Sequence, residues 1–378
     1  MKIAIVGAGI SGLFTGLILK YDKNYNVKIF EKSNRIGGRI QLVEFAGQDV
    51  IAGAGIGRDQ DKLLKKLCKN LGLNLKDKQY HAEFEHTSKP IDISVVLDKL
   101  KSNLHKLERS TETFKEFATK ILGQKTYEKF LFATGETDYE NADVIDTIYN
   151  YGFKNYTSAG FGGISIDWKK LLESFEEKLI DEIELESDVK EFKIQKNGKI
   201  KINNEIFDKM ILAVPINEMR KLLPKKKILS AIKLQPFVRL YVQLDVPLNV
   251  KKSFIKTRDP FQKIIVINKE KLIYQISYSD NNVAREWKKV KNIKETVENG
   301  ILDIFKQKVN VLQHRLIYWK SGTHYFEPLS DDFQDRDDFL KQAQHPYKNV
   351  FCVGEGLSNN QGWCEGALES VVEIIELI

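Results

Sequence analysis

Lys2-Ile3-Ala4-Ile5-Val6 is a short apolar run rich in β-branched residues, the pattern of a strand buried in a parallel sheet. Apolar positions then recur at Leu13, Leu17 and Leu19 with helical spacing as far as Lys20, and a second strand runs from Asn26 to Phe30. This order predicts a parallel β-α-β unit. Leu63, Leu64, Leu67 and Leu71, closed by Gly72, predict a helix, as does Trp168 to Leu179. Met210-Ile211-Leu212-Ala213-Val214-Pro215 reads as a buried strand stopped by its proline. From Phe237 the period changes. Phe237 to Leu244 reads as a strand, Lys263 to Ser279 as a hairpin, Ala284 to Lys306 as a helix and Val311 to Trp319 as another strand, the signature of an antiparallel sheet with helices on one face. The stretch before it is helical, with no proline between Ile91 and Asn155. Asn349 to Val353 is a last strand, and a last helix runs to Ile378.

The turn between the first strand and helix is Gly7-Ala8-Gly9-Ile10-Ser11-Gly12. Gly7 permits the tight turn, Gly9 lets backbone approach a pyrophosphate, and Gly12 lets helix and strand pack closely; the helix N-terminus then faces phosphate charge. Glu31 ends the second strand 19 residues after Gly12, where a carboxylate accepts both hydroxyls of an adenosine ribose. A lone glycine pattern is weak, but strand, turn, helix, strand and acid in register specify a dinucleotide.

Glu31-Lys32-Ser33-Asn34-Arg35-Ile36-Gly37-Gly38-Arg39 resembles the ExxxxxGGR signature of the flavin-dependent amine oxidase superfamily. Physically, Gly37 and Gly38 expose backbone N–H groups to the pyrophosphate and Arg39 adds a charge-assisted bond, a second clamp that a nicotinamide enzyme does not need. The C-terminal Gly354-Glu355-Gly356 and Gly362-Trp363-Cys364-Glu365-Gly366-Ala367 are similar to that family's closing pattern. The resemblance implies noncovalent FAD, with Glu355 on the ribityl chain and the helix N-terminus at Trp363 and Cys364 aimed at the flavin's pyrimidine edge. It also implies that Gly53, Ala54 and Gly55 pass in front of the ring, that Gly160-Phe161-Gly162-Gly163 returns the chain to the FAD domain, that Val189 meets adenine through its backbone, and that Ala213 lies by the cofactor.

The fold expected is therefore a Rossmann-like α/β FAD-binding domain with a parallel sheet, built from 1–80, 160–233 and 340–378. A second, α+β substrate domain with an antiparallel sheet takes 81–159 and 234–339. Where amine oxidases of the family carry a lysine on the first strand of that sheet, the pattern puts Arg239; its plainer reading is a strand residue paired with a surface acid. Trp363 matches one of the family's substrate-flanking aromatics. The second is expected among Trp319, Tyr325 and Phe326, with His324 as a proton acceptor. Glu136, Asp138, Glu140, Asp143 and Asp146, interleaved with tyrosines, are either an acidic entrance for a cationic substrate such as a polyamine or a solvated face.

Composition narrows this little. The 378 residues suit two domains, and 42% hydrophobic with 29% charged is ordinary globular usage. The charge of +7 comes from lysines spread along the chain, 49 against 10 arginines, which argues against nucleic acid. Cys68, Cys352 and Cys364 form no pair or zinc pattern, so a reducing, cytoplasmic setting and no metal are expected. Residues 3–19 carry no charge between Lys2 and Lys20, but glycines interrupt them, against a signal peptide; no run is long enough to span a membrane. The expected activity is FAD-dependent hydride removal from a C–H beside an amine nitrogen, with O2 as acceptor. The alternatives are a flavoenzyme acting on C–C bonds or a nucleotide sugar, and a non-catalytic flavin-binding protein.

Overall fold

A computed structural model of the chain describes residues 1–75, 79–104, 111–153, 161–258 and 260–378. Gly160 lies outside these. A five-stranded sheet has Lys2–Val6 at its centre, flanked in parallel by Asn26–Phe30 on one side and Lys209–Leu212 on the other; Ile183–Glu184 and Val350–Cys352 form its edges. The three central strands are largely apolar and buried because the sheet is covered on both faces, while the edge strand Ile183–Glu184 is not. One cover packs Leu13, Phe175 and Leu368 from three helices, and the other Phe207, Met219 and Phe339.

The second sheet has six strands, with Ile232–Leu244 between Val311–Phe326 and Ile273–Asp280, both antiparallel to it. Along Ile232–Leu244 the residues alternate in role. Val238, Leu240 and Val242 face the helices Asn281–Lys289 and Ile293–Phe305, packing with Ala284, Trp287, Val297 and Ile301. Phe237, Arg239 and Tyr241 face the other way.

Four helices between Ile93 and Asn150 share their own core around Phe114, Tyr127, Phe130 and Tyr139. No helix among the described residues is long and apolar enough to cross a membrane.

Several elements depart from the expected boundaries. The helix expected over 284–306 is two, broken between Lys289 and Ile293. The strand expected to stop at Trp319 continues to Phe326. Its register slips between the pairs Phe237–Trp319 and Gln235–Thr323, and Gly322 sits in the slip; a Cβ there would lie 2.5 Å from the Phe237 ring, so only glycine lets the strand pass. The strand Phe84–His86 also joins the edge of the antiparallel sheet, in a stretch expected to be helical.

Candidate active site

The glycine turn is held from three sides. Gly7 has φ +105°, and a Cβ there would lie 2.5 Å from Ala213 O; a Cβ on Gly12 would lie 2.0 Å from Gly7 O. Ala213 N donates to Val6 O, which keeps this strand end against the turn. Gly9 is different: it has φ −76°, and a Cβ would have nothing within 4 Å. The helix Ile10–Leu17 begins there, and no side chain bonds its first N–H groups, among them those of Ile10, Ser11 and Gly12.

Glu31 is buried and accepts from Ala8 N at 2.8 Å, Ser33 N at 2.9 Å and Ser33 Oγ at 2.8 Å. The segment carrying Val189 runs beside it, with Ser187 N donating to Glu31 O and Val189 buried against Phe30 and Val6. Lys32 points outward, exposed, 3.9 Å from Glu218. The turn after it is folded by Arg35, whose Nη2 donates to Gly38 O at 2.8 Å and Nη1 to Ile36 O at 3.0 Å. Gly37 N donates to Ala8 O, and a Cβ on Gly38 would lie 3.2 Å from Gly9 Cα. Two glycine loops are thus laid against each other.

Arg39 reaches across to the far end of the chain, donating to Glu355 Oε2 at 2.9 Å and to Gly322 O at 2.7 Å. Glu355 also accepts from His324 N and Gly362 N, each at 2.9 Å, and lies 2.5 Å from His324 Nδ1. Ile216 N donates to His324 Nε2 at 3.3 Å, so Nε2 is the acceptor and the ring proton sits on Nδ1. Burial alone would raise the Glu355 carboxyl, but His324 and Arg39 outweigh it and hold the group far below the usual carboxylate range. Both ring nitrogens of His324 are engaged on the buried side of its strand, which corrects the expectation of a proton acceptor over the substrate.

Beyond Glu355, a Cβ on Gly354 would again have nothing within 4 Å, and Trp363 starts the helix Cys364–Ile375 with no side-chain cap. Burial pushes the Cys364 thiol up to about 12, so it stays neutral. Glu365 turns to the helix Lys62–Asn70, accepting from Leu63 N and Leu64 N at 2.8 Å each. The Trp363 ring lies under the Arg58 guanidinium, 4.1 Å from its carbon. Arg58 is buried, with Nε 2.8 Å from Asp61 Oδ1 and Nη2 2.8 Å from Asn360 Oδ1. The sequence reading named Gly53, Ala54 and Gly55 and did not reach Arg58.

The antiparallel sheet grips the segment between these loops through three consecutive carbonyls. Tyr241 Oη donates to Ile51 O at 2.6 Å, Trp319 Nε1 to Ala52 O at 2.8 Å, and Arg239 Nη2 to Gly53 O at 2.6 Å. Ala54 N in turn donates to Arg39 O, and Trp168 Nε1 to Gly55 O. Arg239 is 4% exposed, donates Nη1 to Gln275 Oε1 at 2.9 Å and lies over the Tyr278 ring, 4.2 Å from its centroid. The surface-acid pairing for Arg239 is therefore wrong: the residue is buried, and it makes no ion pair among the described residues. A Cβ on Gly55 would come 2.9 Å from its Nη2. Phe237 packs against both Tyr278 and Trp319. Tyr325 lies farther along that strand, opposite Lys233, and its hydroxyl has no hydrogen bond among the described residues.

The acidic run is neither an open entrance nor a solvated face. Glu136 pairs with buried Lys263, Tyr151 donates to Asp138 at 2.5 Å, Tyr127 donates to Glu140 at 3.1 Å, and Asp143 caps its own helix. Carboxylate oxygens of Glu136, Asp138 and Asp280 lie within 4.8 Å of one another. Burial and Glu136 push Asp138 up to about 7, and burial pushes Asp280 upward. Lys256, buried at the same place, is brought down to about 7.

The two glycine loops meet at the start of the helix Ile10–Leu17, whose first N–H groups no side chain takes up, the donor set an anionic pyrophosphate needs. Gly9 and Gly354 leave space there that a side chain would fill. Arg239 Nε, Gln275 Nε2, Gln235 Oε1 and Thr323 Oγ1 are buried without a partner among the described residues. A group with phosphates at one end and a polar heterocycle at the other fits this combination.

Such a site on this pair of sheets has the donor set and the backbone approach that a dinucleotide requires. The sequence profile of the flavin containing amine oxidoreductases matches residues 10–372, and the chain belongs to that family. The chain covers less than a fifth of the length of the curated relatives it resembles. Among curated proteins, the chain is 40% identical over 80 residues to 4,4'-diapolycopen-4-al dehydrogenase of Metabacillus indicus, covering 17% of this chain and 16% of that protein. It is 41% identical over 76 residues to L-amino-acid oxidase of Mus musculus, covering 20% of this chain and 12% of that protein. A putrescine oxidase solved with putrescine bound superposes with a TM-score of 0.77 at 14% identity, over 100% of this chain and 99% of that one. That likeness is one of fold.

Proposed function

We propose that the protein binds FAD noncovalently and oxidises the C–H bond beside an amine nitrogen, with O2 taking up the electrons. The observation that carries this is the meeting of Arg39, which follows the paired Gly9 and Gly38 loops at one end of the chain, with Glu355 from the other. The flavin, when bound, supplies the hydride acceptor.

The chain's own residues do the rest. Ile10, Ser11, Gly12 and Gly38 offer N–H groups to the pyrophosphate, and Glu31 meets the adenosine ribose with the one lone pair its three donors leave free. Val189 and Ala213 border the adenosine side. Glu355, kept ionised by Arg39 and His324, borders the ribityl chain and positions Arg39. Gly53, Ala54 and Gly55, held by Tyr241, Trp319 and Arg239, keep backbone close to the ring without side-chain bulk. Trp363 and Trp319 exclude water from the substrate nitrogen, which must lose solvent to sit over the ring. The uncapped N-terminus at Cys364 places a positive dipole end where charge gathers on reduction. In this reading 1–80, 160–233 and 340–378 carry the cofactor, and 81–159 and 234–339 enclose the substrate.

Purified protein should be yellow, release its flavin on denaturation, and yield peroxide with an amine. A colourless protein that refuses FAD overturns the reading. A second reading, a flavoenzyme working on a C–C bond or a nucleotide sugar, is favoured by one observation: the cation beside the ring segment is an arginine, which cannot give up its proton. Bleaching only by a reductant, with no peroxide from any amine, would select it.

A further inference from the structure

The turn from Pro224 to Ile228 leads from the helix Ile216–Leu222 towards the strand Ile232–Leu244 and carries three lysines in a row. Lys225, Lys226 and Lys227 make no ion pair among the described residues. Lys226 is nonetheless held in place: its N–H donates to Leu223 O at 3.0 Å, and its ammonium lies 4.1 Å from the centroid of the Tyr347 ring. His345 is held as well, stacked on Phe351 with the ring centroids 4.6 Å apart and the planes 8° from parallel.

These basic residues border one cavity of about 330 Å³, whose apolar lining is Ile228, Phe333 and Pro346. Among the described residues no carboxylate lines it. The acid on the neighbouring helix, Asp338, instead accepts from Gln334 N at 3.1 Å and from Gln342 Nε2 at 3.0 Å. Lysines spread along a surface need no anion, because water and salt screen them. Three that border one concave surface add their potentials, and low-dielectric walls focus the sum. The volume then decides what fits. It exceeds what an inorganic ion fills and lies at the small end of the range for organic ligands, roughly 300–1,000 Å³. An anionic end meets the lysines, and a flat apolar end meets the lining.

We infer that this cavity is a nucleotide site, distinct from the cradle assigned to FAD, with phosphate oxygens on Lys225, Lys226 and Lys227 and a heterocyclic base against Ile228, Phe333 and Pro346. The inference goes beyond the flavin reading and does not need it. Its place in the chain gives the site reach. Lys227 begins the short 3₁₀ turn Lys227–Ala231 that enters the strand carrying Arg239, and Pro346 precedes Val350–Cys352, the strand that leads to Glu355. In the proposed division of the chain, the cavity adjoins two of the crossings between domains. A bound nucleotide ties the two together.

The test titrates purified, flavin-loaded protein with ADP, adenosine and inorganic pyrophosphate by calorimetry. ADP is expected to bind once per chain, adenosine and pyrophosphate at least about tenfold more weakly, and the ADP affinity should fall as salt rises. Lys226→Ala should weaken ADP by about tenfold or more, the loss of one charge-assisted bond, while Lys226→Arg keeps most of it. Lys225→Ala combined with Lys227→Ala, both exposed, should weaken ADP comparably without moving the melting temperature. Lys288→Ala combined with Lys289→Ala, exposed on another helix, should leave ADP binding unchanged.

Pyrophosphate binding as tightly as ADP would reduce the cavity to a patch of charge and overturn the site. Unchanged ADP affinity in Lys226→Ala and in the Lys225→Ala, Lys227→Ala protein overturns it too, as does an equal loss in the Lys288→Ala, Lys289→Ala protein. ADP binding that vanishes once FAD is fully loaded belongs to the cradle and also overturns it. A colourless protein whose ADP binding depends on Lys226 removes the flavin reading and leaves this site standing.

Discussion

The guanidinium of Arg39 donates to the Glu355 carboxylate at 2.9 Å across 316 positions of sequence, and His324 completes the group at 2.5 Å from the same oxygen. Two loops and one strand of the antiparallel sheet are pinned to a single carboxylate. Because its native titration is held low, Glu355 contributes stability that is present above its unfolded value of about 4.3 and lost as pH falls below that. Glu355→Gln should therefore cost roughly 3 kcal/mol or more at neutral pH, the penalty for breaking a buried pair. The gap to wild type should close in acid. Denaturant melts at neutral pH and near pH 3 would measure both.

Gly9 and Gly12 separate cofactor binding from folding. A Cβ on Gly12 meets Gly7 O at 2.0 Å, so Gly12→Ala should destabilise the protein by roughly 1–3 kcal/mol or more even without cofactor. A Cβ on Gly9 meets nothing within 4 Å, so Gly9→Ala should leave the flavin-free protein within about 0.5 kcal/mol of wild type. It would, however, fill the approach to the pyrophosphate and weaken FAD by about tenfold or more. Melts of stripped protein and FAD titration distinguish the two.

Arg58 is sandwiched between Asp61 and the Trp363 ring. Arg58→Met leaves Asp61 buried without its partner and should cost roughly 3–5 kcal/mol. Arg58→Met combined with Asp61→Asn should recover part of that loss. Trp363 emission should shift in the single variant, read against Trp363→Phe to remove the other three tryptophans from the signal.

Asp138 gives a pH dependence of opposite sign to Glu355. Its native titration near 7 lies above the unfolded value of about 3.9, so the native state binds the extra proton between them and loses stability as pH rises through that window. Asp138→Asn keeps an acceptor for the Tyr151 hydroxyl and removes the titration. Its melting temperature relative to wild type should rise steadily from pH 4 to pH 7. A constant difference across that range would contradict the assignment.

The cofactor end of the molecule was legible because its signals are local. Gly7, Gly9, Gly12, Glu31 and Arg39 lie within one β-α-β unit, and their spacing is imposed by a turn, a helix start and a strand end that neighbouring residues build. The partners of those residues were not legible. Arg58 meets Trp363, Arg39 meets Glu355, and Tyr241, Trp319 and Arg239 meet three successive carbonyls, all through contacts between segments far apart in sequence. The strand expected to end at Trp319 runs on to Phe326 because the missing side chain of Gly322 is the space Phe237 occupies. The acidic run read as surface because acids usually are, and the lysine that neutralises its inner end, Lys263, lies 127 residues away.

The central position of Lys2–Val6 in its sheet has a consequence for biosynthesis. The glycine turn that follows it is walled by Ala213, and its sheet is closed by Val350–Cys352, so a growing polypeptide emerging from the ribosome lacks both for most of its translation. On the proposed function, flavin loading is then a late event, coupled to final closure of the sheet by Val350–Cys352.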